Sequence, residues 1–523
     1  MGNDRINKMA GFYREVKLGA VTVVIDLKSL PVFETEESFF FGYPLGKNLN
    51  SVSSDNIGTS LNSIRGYFLF LSIKHDRIII ANDICGGFRL YHCQIDNKIY
   101  LSDRYLILLR LLGSSKPLKR NDNEYHLWER QRYTSGERTF VEGLNKLAPA
   151  SLGLINSDGF SHSIYFDDIC NQPDVKQHLS TSYDELIEGF QLLKEDLTQK
   201  LLFFSGGMDS TLLALLMKKM GVEFHSIFLL AKPFYRDNYS DYLHAKAVAD
   251  LLKIKLIVEE VDIQKGLDES NQIVERMLFD RHYSLLHFVG AEQLVKRFGT
   301  TSIFISGQTA DSILSFGPSA KTKGDLAARV LMRWPGSPMA RLAAMAVIRK
   351  HGRKFRIPQG EAEFLSAFFD PHEYYAMENI DTPDSVRDYF QKMVQPLTDK
   401  LHNKLSLMMY LKLYGFIQSS DNQVVIQSAR KAGVNKVFLP FATPGFIYAT
   451  VRYLNPNKDV ISPKYVISKL LKQFGYSPPV TNYNTEGVDF HSEEIIKEKI
   501  QERYFKASSE IFNQTEMELT ERM

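Results

Sequence analysis

Cysteine is scarce in this chain: three in 523 residues, at Cys85, Cys93 and Cys170. The number is odd and no pair has zinc-binding spacing. That excludes a disulfide scaffold and a zinc module, and it suits a reducing compartment. Long apolar runs are missing too. None approaches the roughly 20 residues that cross a bilayer, and residues 1–8 are charged and lack a signal-peptide core. The Met1-Gly2 opening has Ile6 where myristoylation calls for Ser or Thr. Nor is there an excess of one charge: 63 Lys and Arg face 61 Asp and Glu, a formal net of +2. Such a surface has no general pull toward nucleic acid or membrane. These absences lead to the expectation of a cytoplasmic protein with no nucleic-acid and no membrane partner.

What is present fits a soluble globular chain, 44% hydrophobic and 24% charged, long enough for two or three domains with sizeable cores. Residues 13–166 read as short strands and turns, with candidate strands at 19–26, 66–73, 77–82, 98–101 and 151–155 and one helix at 105–112. After the polar stretch 170–177 the texture changes. A helix at 183–197 precedes short apolar strands at 200–204, 223–229, 255–259 and 301–305, alternating with helices. Alternation of this kind predicts a parallel sheet covered on both faces. The expected division is therefore 1–178 and 179–523. Beyond Asp311 the chain reads as mostly helical, with a charged amphipathic helix over the last thirty or so residues.

The most informative residues are Ser205-Gly206-Gly207-Met208-Asp209-Ser210, which follow the apolar run Leu201 to Phe204 and open a helical stretch. Two glycines let a backbone approach a polyphosphate, and a helix N-terminus presents unpaired N–H groups to it. Asp209 is the candidate Mg²⁺ ligand, bridging phosphates and improving pyrophosphate as a leaving group. This is the pattern of ATP pyrophosphatases. The GxxxxGKS loop, which typically serves cleavage at the γ-phosphate, is a different motif. A second turn, Ser306-Gly307-Gln308-Thr309-Ala310-Asp311, follows the strand at 301–305. Ligands collect at the carboxyl ends of parallel strands, so Asp209 and Asp311 are expected to clamp one Mg-nucleotide. The bland alternative for Asp311 is a helix N-cap, a role Ser312 could fill as well.

These turns, with Tyr242-Leu243-His244-Ala245 between them and Lys464-Tyr465-Val466-Ile467 far beyond, resemble the asparagine synthetase superfamily, whose synthetase half carries SGGxDS and then SGxGxDE. In the first half, Ile64-Arg65-Gly66-Tyr67-Phe68, the stretch from Ile80 to Tyr91, and Thr139-Phe140-Val141-Glu142-Gly143-Leu144 resemble a class II glutaminase domain. The resemblance implies an Ntn-hydrolase-like, β-rich sandwich followed by a doubly wound PP-loop domain with a helical C-terminal part, in α/β and α+β classes together. It implies ATP and Mg²⁺, with ATP held by Phe203, Ser205, Gly206, Gly207, Asp209, Ser210, Leu229, Ser306 and Gly307. Asp209 and Asp311 are the implied metal ligands, and Lys464, Gln308 and Tyr283 the implied catalytic residues.

Departures shape the expectation further. The glutaminase half of that family uses an N-terminal cysteine, whereas this chain opens Met1-Gly2-Asn3, so glutamine hydrolysis is not expected and Cys85 is read as a buried small hydrophobe. Gln308 stands where synthetases usually have Glu, and an amide takes no proton from an amine at neutral pH. The RxPFLD segment survives only as Lys436-Val437-Phe438-Leu439-Pro440-Phe441. Core packing explains Tyr283 as well as catalysis does.

In character the chain is similar to lasso-peptide macrolactam synthetases and β-lactam synthetases. Their likeness implies an AMP-forming amide ligase acting on a small-molecule or peptide substrate, with a precursor peptide and its protease as candidate partners. Residues 321–356 hold ten Lys or Arg against the single acid Asp325, and seven acids follow in 361–384. That segregation is either a solvated helical face or a basic wall for an acidic or extended substrate. A small-acid synthetase, a tRNA-modifying PP-loop enzyme and an inactive interaction protein are the competing readings.

Overall fold

Runs of β-branched and aromatic residues in the first 165 residues form two sheets. The strands are β1 (Phe12–Leu18), β2 (Val21–Leu27), β3 (Phe33–Glu34), β4 (Ser38–Gly42), β5 (Phe68–Ile73), β6 (Ile78–Asn82), β7 (Tyr91–Ile95), β8 (Lys98–Ser102), β9 (Leu144–Lys146), β10 (Ser151–Asn156) and β11 (Gly159–Ile164). One sheet has the order β1-β2-β8-β7-β9 and the other β11-β10-β6-β5-β4-β3. Only β2 and β8 pair in parallel; every other described pair in these sheets is antiparallel. Aromatic rings join the sheets: Phe12 of β1 meets Phe39 and Phe41 of β4 at centroid distances of 4.9 and 5.1 Å. Helix α1 (Tyr105–Ser115) packs on β7 and β8 through Tyr105, Leu108, Leu109 and Leu112.

The structure is a computed structural model, and it describes most of residues 11–165, 179–263, 282–314, 423–453, 464–479 and 487–490, with isolated positions elsewhere. The boundary expected at 178, the charged runs at 321–356 and 361–384, and the C-terminal helix fall wholly or mostly outside the described residues.

The second half alternates strand and helix as its apolar spacing predicts. In order come α2 (Leu179–Glu195), β12 (Lys200–Phe203), α3 (Met208–Met220), β13 (His225–Lys232), α4 (Arg236–Leu252), β14 (Leu256–Asp262), α5 (His282–Phe298), β15 (Ile303–Ile305), α6 (Ala310–Leu314), α7 (Val424–Lys431), β16 (Val437–Phe438), α8 (Pro444–Tyr453) and α9 (Tyr465–Gln473). All four strand pairings are parallel, in the order β14-β13-β12-β15-β16. That is the doubly wound 3-2-1-4-5 arrangement, and its winding reverses between β12 and β15, where open α/β sheets take their ligands. The degenerate RxPFLD segment supplies β16, the last strand of the sheet. Among the described residues no helix is long and apolar enough to cross a membrane.

Polar contacts tie the halves together. Arg65 donates to Glu185 and Glu188, each at 2.8 Å. Lys436 and Tyr43 both reach Asp196 Oδ2, at 2.7 and 3.0 Å; against the cost of burial, Lys436, then Thr198 and Tyr43, hold its carboxyl below the ordinary range. Cys85 lies inside this junction, 2% exposed, its backbone N–H donating to Asp83. Burial pushes the Cys85 thiol well up and the Cys93 thiol to about 11. As the thiolate is the reactive form, neither should take up iodoacetamide in the native protein at neutral pH, and both should do so after unfolding. Rapid native labelling at Cys85, read by peptide mass spectrometry, would contradict its placement.

Candidate active site

Register brings the two glycine turns together. Leu201 pairs with Phe304 and Leu202 with Ile305, so β12 and β15 end side by side and each turn leaves the same edge of the sheet. Gly206 has φ +71°, a conformation that L side chains rarely adopt, and a Cβ there would lie 2.9 Å from Ala245 Cα of α4. Its carbonyl accepts from Thr211 Oγ1 at 3.1 Å and from His244 Nε2 at 3.1 Å, which requires that this ring nitrogen carry the proton. Ser205 Oγ lies 3.3 Å from Ser210 Oγ, and Ser210 Oγ donates to Gly207 O at 3.2 Å. Gly207 caps α3 with extended backbone, so the first N–H groups of the helix face out of the turn.

The second turn touches the first. A Cβ on Gly307 would stand 2.9 Å from Asp209 Cβ, so glycine is what permits the approach. Gln308 N–H donates to Ser306 Oγ at 3.2 Å, and Gln308 Oε1 accepts from Val425 N–H at 3.1 Å, at the start of α7. Thr309 is β-branched yet sits at φ 75° and is almost fully buried, with its hydroxyl unpartnered among the described residues. A left-handed, β-branched residue stores about 1–3 kcal/mol of strain. Thr309 stands where the resembled pattern has glycine.

The third element comes from far along the chain. Lys464, also left-handed at φ 61°, opens α9 and accepts from Ser468 N–H at 2.9 Å. Helix α9 packs on α3 and buries Val466, Ile467, Leu470 and Leu471. That packing lays Lys464 Nζ 2.6 Å from Asp209 Oδ2, both side chains being about five-sixths buried (17% and 15% exposed). Lys464 is thus no loop-surface lysine: the fold closes it onto the first glycine turn.

Residues 199–413 match the family model described as asparagine synthase.

The asparagine synthase match takes in both glycine turns and stops before α7 and Lys464, so the pairing of Lys464 with Asp209 rests on the geometry and not on that match. No curated protein matches the chain. Among solved structures, one titled as the allosteric regulatory enzyme of purine biosynthesis aligns at 11% identity and a TM-score of 0.16, covering 52% of this chain and 53% of that one. Another, a glutamine phosphoribosylpyrophosphate amidotransferase from B. subtilis complexed with ADP and GMP, aligns at 10% and 0.15, covering 52% and 62%. The chain therefore spans about half to three-fifths of those structures, and scores this low carry no argument about its fold or activity.

Ser205, Gly206, Gly207, Asp209, Ser210, Ser306, Gly307, Gln308 and Lys464 all meet at the β12/β15 edge. Phe203 lies at the end of β12 with its ring 5.4 Å from Phe304. Leu229 sits one strand over, against α5: a Cβ on Gly290 would be 2.8 Å from its Cδ1. Tyr283 is placed on the first turn of α5 and Asp311 on the first turn of α6, but the side chains of both lie outside the described residues. Among the described residues no group of three acidic, His or Cys side chains could hold a metal alone. The donor chemistry still suits Mg²⁺, which is commonly held by one or two carboxylates together with substrate phosphates. Asp209 Oδ2 already receives a cation, Lys464, in a cradle that a Cβ at Gly307 would fill. In the sequence His244 stands only as part of a stretch that resembles the family's helix. Its bond to a left-handed glycine leaves no trace in spacing.

Proposed function

We propose that this chain is an ATP-dependent, AMP-forming amide ligase. The observation that carries the reading is the closure of Lys464 onto Asp209 between two glycine turns at the reversal point of the sheet. The asparagine synthase match over 199–413 supports it independently. In the reaction, a carboxylate oxygen attacks the α-phosphorus of ATP and pyrophosphate leaves. An amine then attacks the acyl carbon of the adenylate, loses a proton, and AMP departs.

The chain's own groups divide the work. N–H groups at the start of α3, with Ser205 and Ser210, hold phosphate oxygens. Lys464 meets the negative charge that builds on the transferring centre. Gln308 orients the second turn and takes no proton, so the amine's proton goes to another base or to the substrate. Asp209 and Asp311 would hold Mg²⁺, which supplies charge neutralisation on the leaving pyrophosphate. Phe203 and Leu229 flank the nucleoside, and Tyr283 remains a candidate contact to the acyl substrate.

The acid and amine are taken to belong to one peptide, giving a macrolactam. The basic run 321–356 supports a substrate that is acidic or extended. Incubating the protein with ATP, Mg²⁺ and peptides that carry an internal Asp or Glu and a free N-terminal amine should release AMP and pyrophosphate in equal amounts. The product should be lighter than the peptide by one water. Adenylate formed only with small acids would replace the peptide by a small substrate. No pyrophosphate exchange with any acid would overturn the ligase reading.

A further inference from the structure

Helix α7 is bonded along its whole length to the first domain. Gln423 Nε2 donates to Cys85 O at 2.5 Å and Gln427 Nε2 to Gly87 O at 3.1 Å. Arg430 pairs with Asp103 at 2.6 Å and lays its guanidinium 4.0 Å over the Phe88 ring. Gly87 is pressed so close that a Cβ would come within 2.9 Å of Ile426 Cδ1. The loop that receives these contacts is itself stiff, because the buried Asp83 carboxylate accepts backbone N–H groups of Phe68, Cys85, Gly87 and Phe88. At its N-terminal end, beside Gln423, α7 also offers Val425 N–H to Gln308 Oε1. The turn it grips holds Thr309 in a conformation that a β-branched residue resists. Such a turn keeps its shape only when surrounding structure over-determines it.

We propose that α7 is a relay through which the first domain fixes the second glycine turn, with Gln308, Gln427 and Arg430 as positioning residues. The first domain is then a working part of the nucleotide site. The inference rests on the ligase reading for its kinetic consequence only, since its structural consequence is measurable without any substrate.

Hydrogen exchange read by mass spectrometry tests it on the full chain. Gln427→Leu and Arg430→Lys each remove a contact between the helix and the first domain, two and five residues beyond Val425, without touching the turn itself. Both should speed exchange in peptides covering 303–314 by about five- to tenfold, the value of one net hydrogen bond. Peptides covering 200–215 should be unchanged. Gln308→Leu should do the same, while Gln308→Glu, which keeps an acceptor for Val425 N–H, should retain slow exchange. Val23→Ala, in the core of the first sheet, provides a variant of comparable thermal loss that should leave 303–314 untouched.

In pyrophosphate exchange, Gln427→Leu should lower kcat about tenfold with KM for ATP within about twofold, and the Gln308→Leu/Gln427→Leu double variant should be no slower than Gln308→Leu. Unchanged exchange at 303–314 in both Gln427→Leu and Arg430→Lys overturns the relay, as does an equal rise in Val23→Ala. A wild-type protein inactive in pyrophosphate exchange would sink the ligase reading, and the hydrogen-exchange result would still decide the relay.

Discussion

Lys464→Ala is expected to lower product formation by roughly a hundred- to a thousandfold while leaving ATP affinity within a few-fold. The ammonium is held in a largely closed site 2.6 Å from Asp209. A fixed cation facing charge that develops only in the transition state is worth about 3–4 kcal/mol, and little of that is felt in the ground state. Lys469→Ala, on the same helix, should have a mild effect on both quantities. Lys464→Arg separates the roles: it can keep an ion pair with Asp209, but its planar fork does not place a point charge where the ammonium sat. If Lys464 serves only to pair with Asp209, the Arg variant will turn over normally. Equal, mild losses in the two alanine variants would remove Lys464 from the reaction altogether.

Asp209→Asn should abolish pyrophosphate release. A metal held by Asp209 would contribute several kcal/mol of charge stabilisation, so a loss of roughly a thousandfold or more is expected. A readout independent of turnover is the Mg²⁺ dependence of ATP binding, which should vanish in Asp209→Asn by equilibrium titration. Asp311→Asn is expected to weaken that dependence in the same direction. The Asn side chain also gives up the ion pair to Lys464, so thermal stability should be recorded alongside. Wild-type pyrophosphate release from Asp209→Asn would end the metal assignment.

Much of this was legible in the residues, for definable reasons. The strand candidates at 66–73, 77–82, 98–101 and 151–155 start and end within about two residues of β5, β6, β8 and β10, because alternating or fully apolar short runs favour a strand. The turn 205–210 declares itself through glycine and hydroxyl chemistry that acts between neighbours in sequence. Lys464 was reachable only through a motif resemblance, and its partner could not be read from spacing. What stayed hidden was the junction. Arg430 and Asp103 are 327 residues apart, and Gln423 and Cys85 are 338 apart. Contacts of that kind follow no period and no cap rule. Gln308 shows the same limit: the sequence tells that it cannot act as a base, but not that its amide oxygen holds the N-terminus of α7. Thr309 does not announce its left-handed backbone by its own residue type; the one hint is that the resembled pattern has glycine at that place.

Asp209 and Lys464 are separated by 255 positions along the chain. During synthesis at roughly 5–20 residues per second, the phosphate-facing turn therefore leaves the ribosome about 13–50 s before the cation that completes it. Through that interval a nascent chain can gather its parallel sheet and its first-half sheets, yet it lacks the cation that pairs with Asp209. If Lys464 has the role proposed for it, a chain released before that residue would be a poor adenylating agent.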